Sequence, residues 1–410
     1  MLFNNNHYLI MNILLLRPYN PYVEIGASAN RFSGLIDGIC REGHHVTIGI
    51  TGGLQKKNEK YYKTINPNID VVYLSKANHY NGFLGRLNMY FFNKLHLIFA
   101  GIKLKVLIKK HYDIVWLTNS ASVLTLFNKC FNGHACRSFI ELNEFNDIYK
   151  EQTHGNILQR MKGGNSSKVF AETIGNIDLI AVMTKTLMDY YRKMAKTEAR
   201  FIHLPMTVDM TRFANVTTTE EYQKPYIAFT GTMTNQKDGV DVLIKAFAKI
   251  AEKYPEYHLY LAGFWHYDFP MQEKLIEKYG LKNRIHYIGT LNREQVPPFL
   301  CNASVLVLSR PDSHQAQGGF PTKLGEYLAT GNPVCVTKVG EIPDYLEDNV
   351  SAFMAEPGDV DSFADAMDRV LCDDVFAKQV GSNGRKVAEE HFNAVIQAKR
   401  LVKFLEENLK

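Results

Sequence analysis

The sequence predicts an α/β protein built from two doubly wound domains. Short apolar runs alternate with longer mixed segments, as strands and helices do in parallel sheets covered by helices. This alternation restarts after Lys224-Pro225, which indicates a second domain of the same kind. With 410 residues, the chain is long enough for about two or three domains with substantial cores.

The first domain is expected to begin with a buried strand, Asn12–Leu16. The letters LIMNILLL around it are similar to the apolar region of a signal peptide, but no Lys or Arg precedes them and Arg17 follows at once. A helix is predicted over Ser28–Arg41, closed by Glu42-Gly43. Further strands are expected at Val46–Ile50, Val71–Leu74, Ile114–Leu117, Phe139–Leu142, Leu179–Val182 and Phe201–Leu204. We assign residues 1–215 to this domain.

A polar linker without periodicity, residues 216–225, separates it from a second domain over residues 226–385. Strands are expected there at Tyr226–Thr230, His258–Ala262, Ile285–Ile288, Val305–Leu308 and Val334–Thr337. The helix after the first of these strands has the apolar spacing of one buried stripe, formed by Leu243, Ala246, Phe247 and Ile250. Residues 386–410 are predicted to be helical and to pack back on the N-terminal domain.

Composition is that of an ordinary globular protein, with 46% hydrophobic and 22% charged residues. No window approaches the roughly 18 uninterrupted apolar residues that a membrane span needs. Cysteine spacing shows neither CxxC pairs nor a metal-ligand pattern, which favours reduced thiols and a cytoplasmic location. The six cysteines are Cys40, Cys130, Cys136, Cys301, Cys335 and Cys372.

The segment Val71–Tyr112 is basic and rich in large apolar residues. It contains no Asp or Glu, and its positive residues are Lys76, Arg86, Lys94, Lys103, Lys105, Lys109 and Lys110. One interpretation is an interfacial helix that contacts an anionic membrane. The other is a pair of core-packed helices with a solvated lysine face. Both remain open, whereas nucleic acid is disfavoured because no binding motif is present.

The segment Gln317–Val334, reading QGGFPTKLGEYLATGNPV, combines a phosphate-receptive turn with a charged helix. Pro321 stands where the first helical turn is expected, and the helix should run to about Thr330 with Gly331 as a left-handed cap. The free N–H groups and partial positive charge at the start of such a helix attract phosphate.

Lys323 and Glu326 lie three residues apart and therefore project from one face of that helix. A lysine suits a phosphate oxygen, and a carboxylate suits a pair of sugar hydroxyls. Together they favour a nucleotide sugar as ligand. The alternative is an ordinary amphipathic helix with a good start and stop, because short motifs of this kind often occur by chance.

In open α/β sheets, ligands bind at the loops that follow parallel strands. Two more loops of this kind suit a phosphate. Tyr19–Ala29 follows the first strand and contains Gly26 before a helix. Gly231–Gly239, reading GTMTNQKDG, brings Lys237 to another helix start. We expect this loop and the Gln317–Val334 segment to hold two phosphates without a metal, at a cleft between the domains.

These motifs together resemble the retaining glycosyltransferases of the GT-B fold, especially glycosyltransferase family 4, over nearly the whole chain. Beyond Gly26, the matching segments are EGHHV at Glu42–Val46, IHLPMTVD at Ile202–Asp209, GTMTNQKDG at Gly231–Gly239, and TKLGEYLATGNPV followed by Val339–Pro343. The resemblance implies two Rossmann-like domains facing each other across a cleft. It also implies that the N-terminal domain binds the acceptor and the C-terminal domain the nucleotide sugar.

The resemblance assigns Lys237 to the phosphate-binding lysine of the family and Glu326 to the glutamate that binds the donor ribose. The residues expected to contact the donor are Gly26, Lys237, His314, Gln317, Gly318, Gly319, Phe320, Pro321, Thr322, Lys323 and Glu326.

Met206 and Thr207 are substitutions within the family's domain-junction pattern, and three further sites depart from the family. Thr232 replaces the arginine of the phosphate loop, and Gly318 replaces the first glutamate of the E-x7-E motif. The substitutes we expect for that glutamate are His314, Gln317 or the backbone N–H groups of Gly319 and Phe320. Where the family often has an active-site histidine, Asn143 and Glu144 follow a strand. We take them, with Lys237, as catalytic candidates, although a carboxylate at a strand end is also a common solvated or capping group.

The expected reaction is transfer of a sugar from a nucleoside diphosphate to an acceptor hydroxyl, with retention as the resemblance implies. No cofactor is expected beyond the donor substrate, and no metal, because Asp359 or Asp361 in the Asp359–Asp361 string suits a helix cap. The acceptor is expected to be a glycan or a lipid-linked glycan at the inner face of a membrane. The alternatives are a nucleotide-sugar epimerase of the same fold and a catalytically silent nucleotide-binding subunit.

Overall fold

The computed structural model describes residues 10–24, 26–54, 64, 66–75, 83–131, 133–146, 157–217 and 221–409, without the side chains of 83–94 and 157–165. The chain divides into two compact units. The first comprises Met1–Leu204 with Gln397–Lys410, and the second comprises Pro205–Ile396. The predicted domain end at residue 215 therefore falls inside the second unit, and residues 218–220 of the predicted linker lie outside the described residues.

The first unit is a parallel sheet of seven strands in the order β3-β2-β1-β4-β5-β6-β7. The strands are β1 Asn12–Arg17, β2 His45–Ile50, β3 Ile69–Tyr73, β4 Ile114–Thr118, β5 Arg137–Leu142, β6 Leu179–Val182 and β7 Arg200–His203. All seven predicted strands are confirmed within two residues at each end. Strand order reverses beside β1, so the loops after β1 and β4 flank a topological switch point.

Helices connect these strands: α1 Ala27–Arg41, α2 Phe83–Leu107, α3 Ala121–Cys130, α4 Ile157–Ile174 and α5 Lys185–Arg192. Buried apolar residues of β1, β2 and β4, such as Leu15, Ile48 and Trp116, form the core with Phe32 and Ile36 of α1. This burial of continuous apolar strands explains why short apolar runs predicted them well.

The second unit contains a six-stranded parallel sheet in the order β10-β9-β8-β11-β12-β13. Its strands are β8 Tyr226–Gly231, β9 His258–Gly263, β10 Ile285–Gly289, β11 Val305–Leu308, β12 Val334–Thr337 and β13 Phe353–Ala355. Five of these strands were predicted. β13 was missed because a run of three residues is too short to show the residue pattern of a strand. The switch point lies between β8 and β11, which pair directly.

The helices of this unit begin after a 3-10 turn at Met210–Phe213. They are α6 Asn235–Asp238, α7 Val240–Ile250, α8 Phe269–Lys278, α9 Val296–Cys301, α10 His314–Gly318, α11 Thr322–Thr330, α12 Ile342–Tyr345, α13 Val360–Cys372 and α14 Asp374–Val387, followed by a π-helical turn at Ala388–Phe392. The next helix, α15 Ala394–Glu407, begins in the second unit and continues into the first. All four residues of the predicted stripe in α7 are buried. That stripe is confirmed.

Candidate functional site

The loop from Gly231 to Gly239 joins β8 to α7 beside the switch point of the second unit. Thr234 caps the short helix α6, because its hydroxyl accepts the N–H of Lys237 at 3.1 Å. Gly239 ends that helix in the left-handed region at φ 67°, and a Cβ there would lie 2.0 Å from the carbonyl oxygen of Ser309. Only glycine suits this position, so the close approach of the loop to the end of β11 depends on it.

Lys323, one residue inside α11, forms an ion pair with the buried carboxylate of Asp238 at 2.5 Å. The Lys323 ammonium also lies 4.9 Å from the ring centre of Phe229. A Cβ on Gly231 would stand 2.5 Å from the same ammonium, so glycine there leaves room for the lysine. The second predicted cation of the site is therefore present, but it already has a counter-ion.

Asp238 also accepts hydrogen bonds from the backbone N–H and the hydroxyl of Thr232. Burial raises the pKa of this carboxyl, but the charge of Lys323 and the hydrogen bonds from Lys323 and Thr232 outweigh it and hold the pKa below its ordinary value. Thr232, the position of the family arginine, thus orients an acid instead of offering a cation. Sequence reasoning missed Asp238, because an acid beside a lysine in a polar loop gives no sign that it is buried.

Two further cations lie close to Lys323. Arg310 follows β11, is 6% exposed, and accepts the Thr337 hydroxyl on its carbonyl oxygen at 2.6 Å. The charges of Arg310 and Lys237 add to burial in lowering the pKa of Lys323. Within the described part of the chain, the Lys237 ammonium has no ion pair. Lys237 and Arg310 thus add positive charge around the Lys323–Asp238 pair, and this charge favours an anion.

Glu326, on the next turn of α11, accepts a hydrogen bond from the Arg212 guanidinium at 2.7 Å. Arg212 lies in the 3-10 turn Met210–Phe213 and also donates to the carbonyl oxygen of Arg293 at 2.9 Å. The side chains are 13% and 21% exposed for Arg212 and Glu326, so the carboxylate is reachable from solvent. Arg212 orients Glu326, and the sequence offered no signal for a partner so far away along the chain.

Helix α11 begins at Thr322 with Pro321 as its N-cap residue, so the prediction of Pro321 inside the first turn was wrong by one position. The cap has ψ 110°, outside the helical region, and therefore the helix cannot start earlier. Thr322 follows directly, half-buried at the first helical position. Gly331 closes the helix with φ 80°, which confirms the left-handed cap.

Phe320, which precedes this helix, belongs to an aromatic cluster. Its ring lies 5.6 Å from that of Tyr345 and 5.2 Å from that of Phe392. The Phe320 side chain is thus an anchor in the core, and only its backbone is left for a ligand. Similarly, Gly325 faces Met206, whose terminal methyl would lie 2.1 Å from a Cβ at that position. Met206, a departure from the family pattern, is accommodated by this glycine.

Two of the expected substitutes for the missing glutamate, His314 and Gln317, lie on α10, a five-residue helix that was not predicted. Ser313 caps it by accepting the N–H of Ala316 at 3.2 Å. His314 and Gln317 are exposed, and the Gln317 amide donates to the Asp312 carboxylate at 2.6 Å. Gly318 is buried at the end of the helix and Gly319 follows in extended conformation.

In the first unit, Gly26 is the N-cap residue of α1, and space for a side chain is open around it. The preceding loop is held by Arg17, which pairs with Glu24 at 2.5 Å. Asn20, fully buried, supports the same loop by donating to the Tyr73 hydroxyl at 3.1 Å. The structure thus places Gly26 at the switch point of the first sheet, where the sequence predicted a loop open to a ligand.

The catalytic candidates after β5 surround a buried ion pair. Arg31 of α1 donates to Glu141, the side chains being 2% and 0% exposed. The Asn143 amide donates to the same Glu141 oxygen at 3.0 Å. Glu144 is half-buried, and its carbonyl oxygen accepts the Tyr191 hydroxyl at 2.6 Å. Asn143 therefore helps hold Glu141 in place, a role that the sequence did not suggest.

Aromatic residues after β9 were also missed. Phe264, Trp265 and Tyr267 are 69%, 64% and 73% exposed. Their loop is tied to the Gly231–Gly239 loop, because the Asp268 carboxylate accepts the N–H of Asn235 at 2.8 Å. Since β9 pairs with β8, this loop and the Gly231–Gly239 loop leave the sheet at neighbouring strand ends.

The Asp359–Asp361 string serves the helix that follows it. Asp359 caps α13 by accepting the N–H groups of Asp361 and Ser362 at 2.9 and 3.0 Å, as predicted. The Asp361 carboxylate pairs with Lys249 at 2.5 Å. In the described ranges of the chain, no group of three His, Cys, Asp or Glu side chains is placed to hold a metal ion.

Solved structures with the same architecture are glycosyltransferases. Sucrose-phosphate synthase from Thermosynechococcus elongatus superimposes with a TM-score of 0.74 at 17% identity, covering 97% of this chain and 98% of that one. HepE of Anabaena, solved in complex with UDP-glucose, gives a TM-score of 0.67 at 16% identity over 97% of this chain and all of the other. The protein therefore has the GT-B fold.

Sequence comparison assigns the second unit to a family. Residues 213–387 match the family model of glycosyl transferases group 1, so this unit is a group 1 glycosyltransferase domain. An uncharacterised glycosyltransferase of Methanocaldococcus jannaschii is 28% identical over 167 residues, 41% of each chain. The 2-deoxystreptamine N-acetyl-D-glucosaminyltransferase of Niallia circulans is 24% identical over 216 residues, 50% of this chain and 53% of the relative. The chain thus spans about half or less of these relatives' lengths.

Proposed function

We propose that the protein transfers a sugar from a nucleoside-diphosphate sugar to an acceptor hydroxyl, with retention of configuration. The observation that carries this proposal is the group of Lys237, Lys323 and Arg310 beside the start of α11. A departing diphosphate carries roughly two to three negative charges, which such a group stabilises together with the free N–H groups of a helix start.

The donor is proposed to lie along the first turns of α11. Its diphosphate contacts Lys237 and the backbone N–H groups of Thr322 and Lys323, while Arg310 supplies the positive charge that Thr232 lacks. The ribose hydroxyls bind the Glu326 carboxylate, which Arg212 holds in a fixed orientation. HepE, which shares the fold, was solved with UDP-glucose, and this supports a nucleotide sugar as donor.

We propose that Glu144 orients the acceptor hydroxyl. Asn143 keeps the side chains around Glu144 in position through its hydrogen bond to Glu141. The acceptor is a glycan or a lipid-linked glycan of surface polysaccharide or glycolipid assembly, and the protein works in the cytoplasm at the inner face of a membrane. No metal takes part, because lysine, arginine and helix N–H groups supply the positive charge that a metal would otherwise provide.

A panel of nucleotide sugars, each tested for protection against thermal unfolding, identifies the donor. The selected donor is then incubated with and without glycan acceptors. Transfer or slow donor hydrolysis supports a transferase, whereas an isomerised sugar in the absence of acceptor indicates an epimerase. Binding without any turnover of the donor indicates a silent nucleotide-binding subunit.

Metal independence has its own test. Turnover should continue in EDTA at an unchanged rate. Loss of turnover that Mn²⁺ or Mg²⁺ restores would contradict this part of the proposal without affecting the donor site.

A further inference from the structure

The outer face of α2 is apolar and exposed. The structure describes the side chains of this helix from residue 95 onward, and five large apolar ones lie in solvent. They are Leu95 at 47%, Ile98 at 57%, Phe99 at 59%, Ile102 at 57% and Val106 at 62% exposed. Their spacing places them on one side of a helix with about 3.6 residues per turn, so they form a continuous stripe, the α2 stripe.

The opposite face of α2 packs against the rest of the first unit. Ala100 and Leu104 are fully buried, and a Cβ on Gly101 would lie 3.5 Å from Leu126 of α3. The α2 stripe is therefore not needed for the core. An apolar surface of this size on a helix that is already anchored indicates a binding partner.

Positive charge borders the α2 stripe on both sides. On the helical projection, Lys103 lies on one side of the stripe and Lys105 on the other, and both are exposed. Lys109 and Lys110 follow the helix, and all four lie in a segment without Asp or Glu. Lys103 donates to the carbonyl oxygen of Tyr73 at 3.1 Å and so is held beside the stripe.

We propose that the α2 stripe and its flanking lysines dock on an anionic lipid surface. Apolar side chains would enter the headgroup boundary while the lysines meet lipid phosphates, which is the geometry of an interfacial helix. No helix in the described ranges is long and apolar enough to cross a membrane, so the contact is peripheral. A second copy fits less well, because a two-fold contact through this stripe would bring the lysines of both copies together.

The exposed α2 stripe favours the lipid interpretation of the Val71–Tyr112 segment, and the proposal adopts it. Lys76 of that segment lies outside the described residues, as do the side chains of Arg86 and Lys94. The proposal therefore stands on the four lysines from Lys103 to Lys110. It goes beyond the proposed transferase activity and does not depend on it, since lipid binding and donor binding are measured separately.

Vesicle flotation of the full chain tests the proposal, with vesicles of phosphatidylcholine alone and with phosphatidylglycerol added. The protein should float only with the anionic vesicles, and added salt should weaken the binding. Combined I98S, F99S and I102S substitutions should lower the binding constant about a hundredfold. Combined K105E, K109E and K110E substitutions should lower it about a hundredfold as well.

Control variants carry two substitutions each, of the same kinds, on the second unit. M271S with V375S replaces apolar side chains that are 59% and 81% exposed, and K274E with K278E reverses exposed lysines. They should float like the unchanged protein. Circular dichroism and UDP titration of each α2 variant show that the fold and the donor site are intact.

Equal flotation of the α2 variants and the unchanged protein would overturn the proposal. The proposal would also be overturned if the control variants lost as much vesicle binding as the α2 variants, or if the protein bound only to neutral vesicles. Light scattering tests whether a second copy of the chain covers the α2 stripe. A second copy would be the partner if the unchanged protein is a dimer that does not float and the combined I98S, F99S and I102S variant is a monomer. Absence of donor binding would count only against the proposed function.

Discussion

Asp238 gives the site a built-in counter-ion, because its carboxylate pairs with Lys323, one of the two lysines that the sequence offered for phosphate. Removing a carboxylate from water is costly unless cations and donors surround it, and Lys323 and Thr232 fulfil that need. Lys237, without an ion pair among the described residues, is left as the cation with most to offer a ligand. The two lysines should therefore respond differently to mutation.

Lys237→Ala should weaken both UDP and inorganic pyrophosphate binding about tenfold or more, because a charge-assisted hydrogen bond is lost from a ligand group common to both. The free energy of unfolding should change little, since the ammonium has no ion pair among the described residues to lose. Calorimetric titration measures the affinities, with Lys274→Ala as a control at an exposed lysine. Unchanged affinity for both ligands would remove Lys237 from the phosphate site.

Glu326→Ala should weaken UDP binding about tenfold or more while leaving pyrophosphate binding unchanged, because only UDP carries the ribose. The same titrations compare the two ligands, and Glu326→Gln separates charge from hydrogen bonding. Equal loss for UDP and pyrophosphate would mean that Glu326 acts on the phosphates or on the fold, not on the ribose.

Asp238→Asn should lower the free energy of unfolding by about 1–3 kcal/mol at neutral pH, because Lys323 loses its charged partner. The pKa of Asp238 is below its ordinary value in the folded protein, so its stabilisation is present above about pH 4 and is lost as pH falls through the lowered folded pKa. The difference between the two proteins should therefore shrink in acid.

Denaturant unfolding at several pH values measures this difference. Asp361→Asn serves as the control, because the Asp361 side chain is 79% exposed and its pair with Lys249 is a surface one. A difference that stays constant from neutral pH to strong acid would contradict the assigned charge of Asp238.

At the scale of elements, the helix α15 contributes to the core of the first unit. Four residues of α15, Ala398, Leu401, Val402 and Leu405, belong to the core that the strands of the first sheet form. The chain thus returns to its first unit only after it has completed the second. This burial follows from an apolar stripe with helical spacing, but nothing in the stripe states which sheet it covers.

Leu401→Ala should lower the free energy of unfolding of the first unit by about 2–5 kcal/mol, since Leu401 is fully buried and its loss leaves a cavity. Lys403→Ala, two residues away with a side chain 78% exposed, should have little effect. Denaturant titration followed by hydrogen exchange assigns the loss to its unit. Equal effects of the two changes would show that α15 does not belong to that core.

At the scale of the whole molecule, each of the two compact units contains its own parallel sheet. Under the proposed function, UDP binds the second unit and should protect the amides of residues 231–239 and 322–326 from hydrogen exchange. At a concentration about a hundred times its dissociation constant, the added stability is about 2.7 kcal/mol.

The amides of β2, in the first unit, serve as the internal reference for this measurement. Protection of the β2 amides without protection of residues 231–239 would place the nucleotide in the first unit and contradict the proposed donor site.

Much of this molecule follows from its sequence alone, because buried parallel strands are continuous apolar runs and helix ends need special residues. The central strands β1, β4 and β6 of the first sheet and the Gly331 cap are of this kind, whereas the edge strands β3 and β7 are only partly buried. The fold class and the family resemblance of the second unit rest on such local signals, and the structural and family comparisons confirmed them.

Tertiary structure decided which charged groups meet. Asp238 binds Lys323 across 85 residues, and Arg212 binds Glu326 across 114. It also decided that one apolar face of α2 is buried while the other is exposed, since both faces carry similar residues. Local patterns specify backbone conformation within a few residues, whereas burial and ion pairing depend on segments brought together only when the sheets close. For that reason the sequence named the lysines of the site but not their partners.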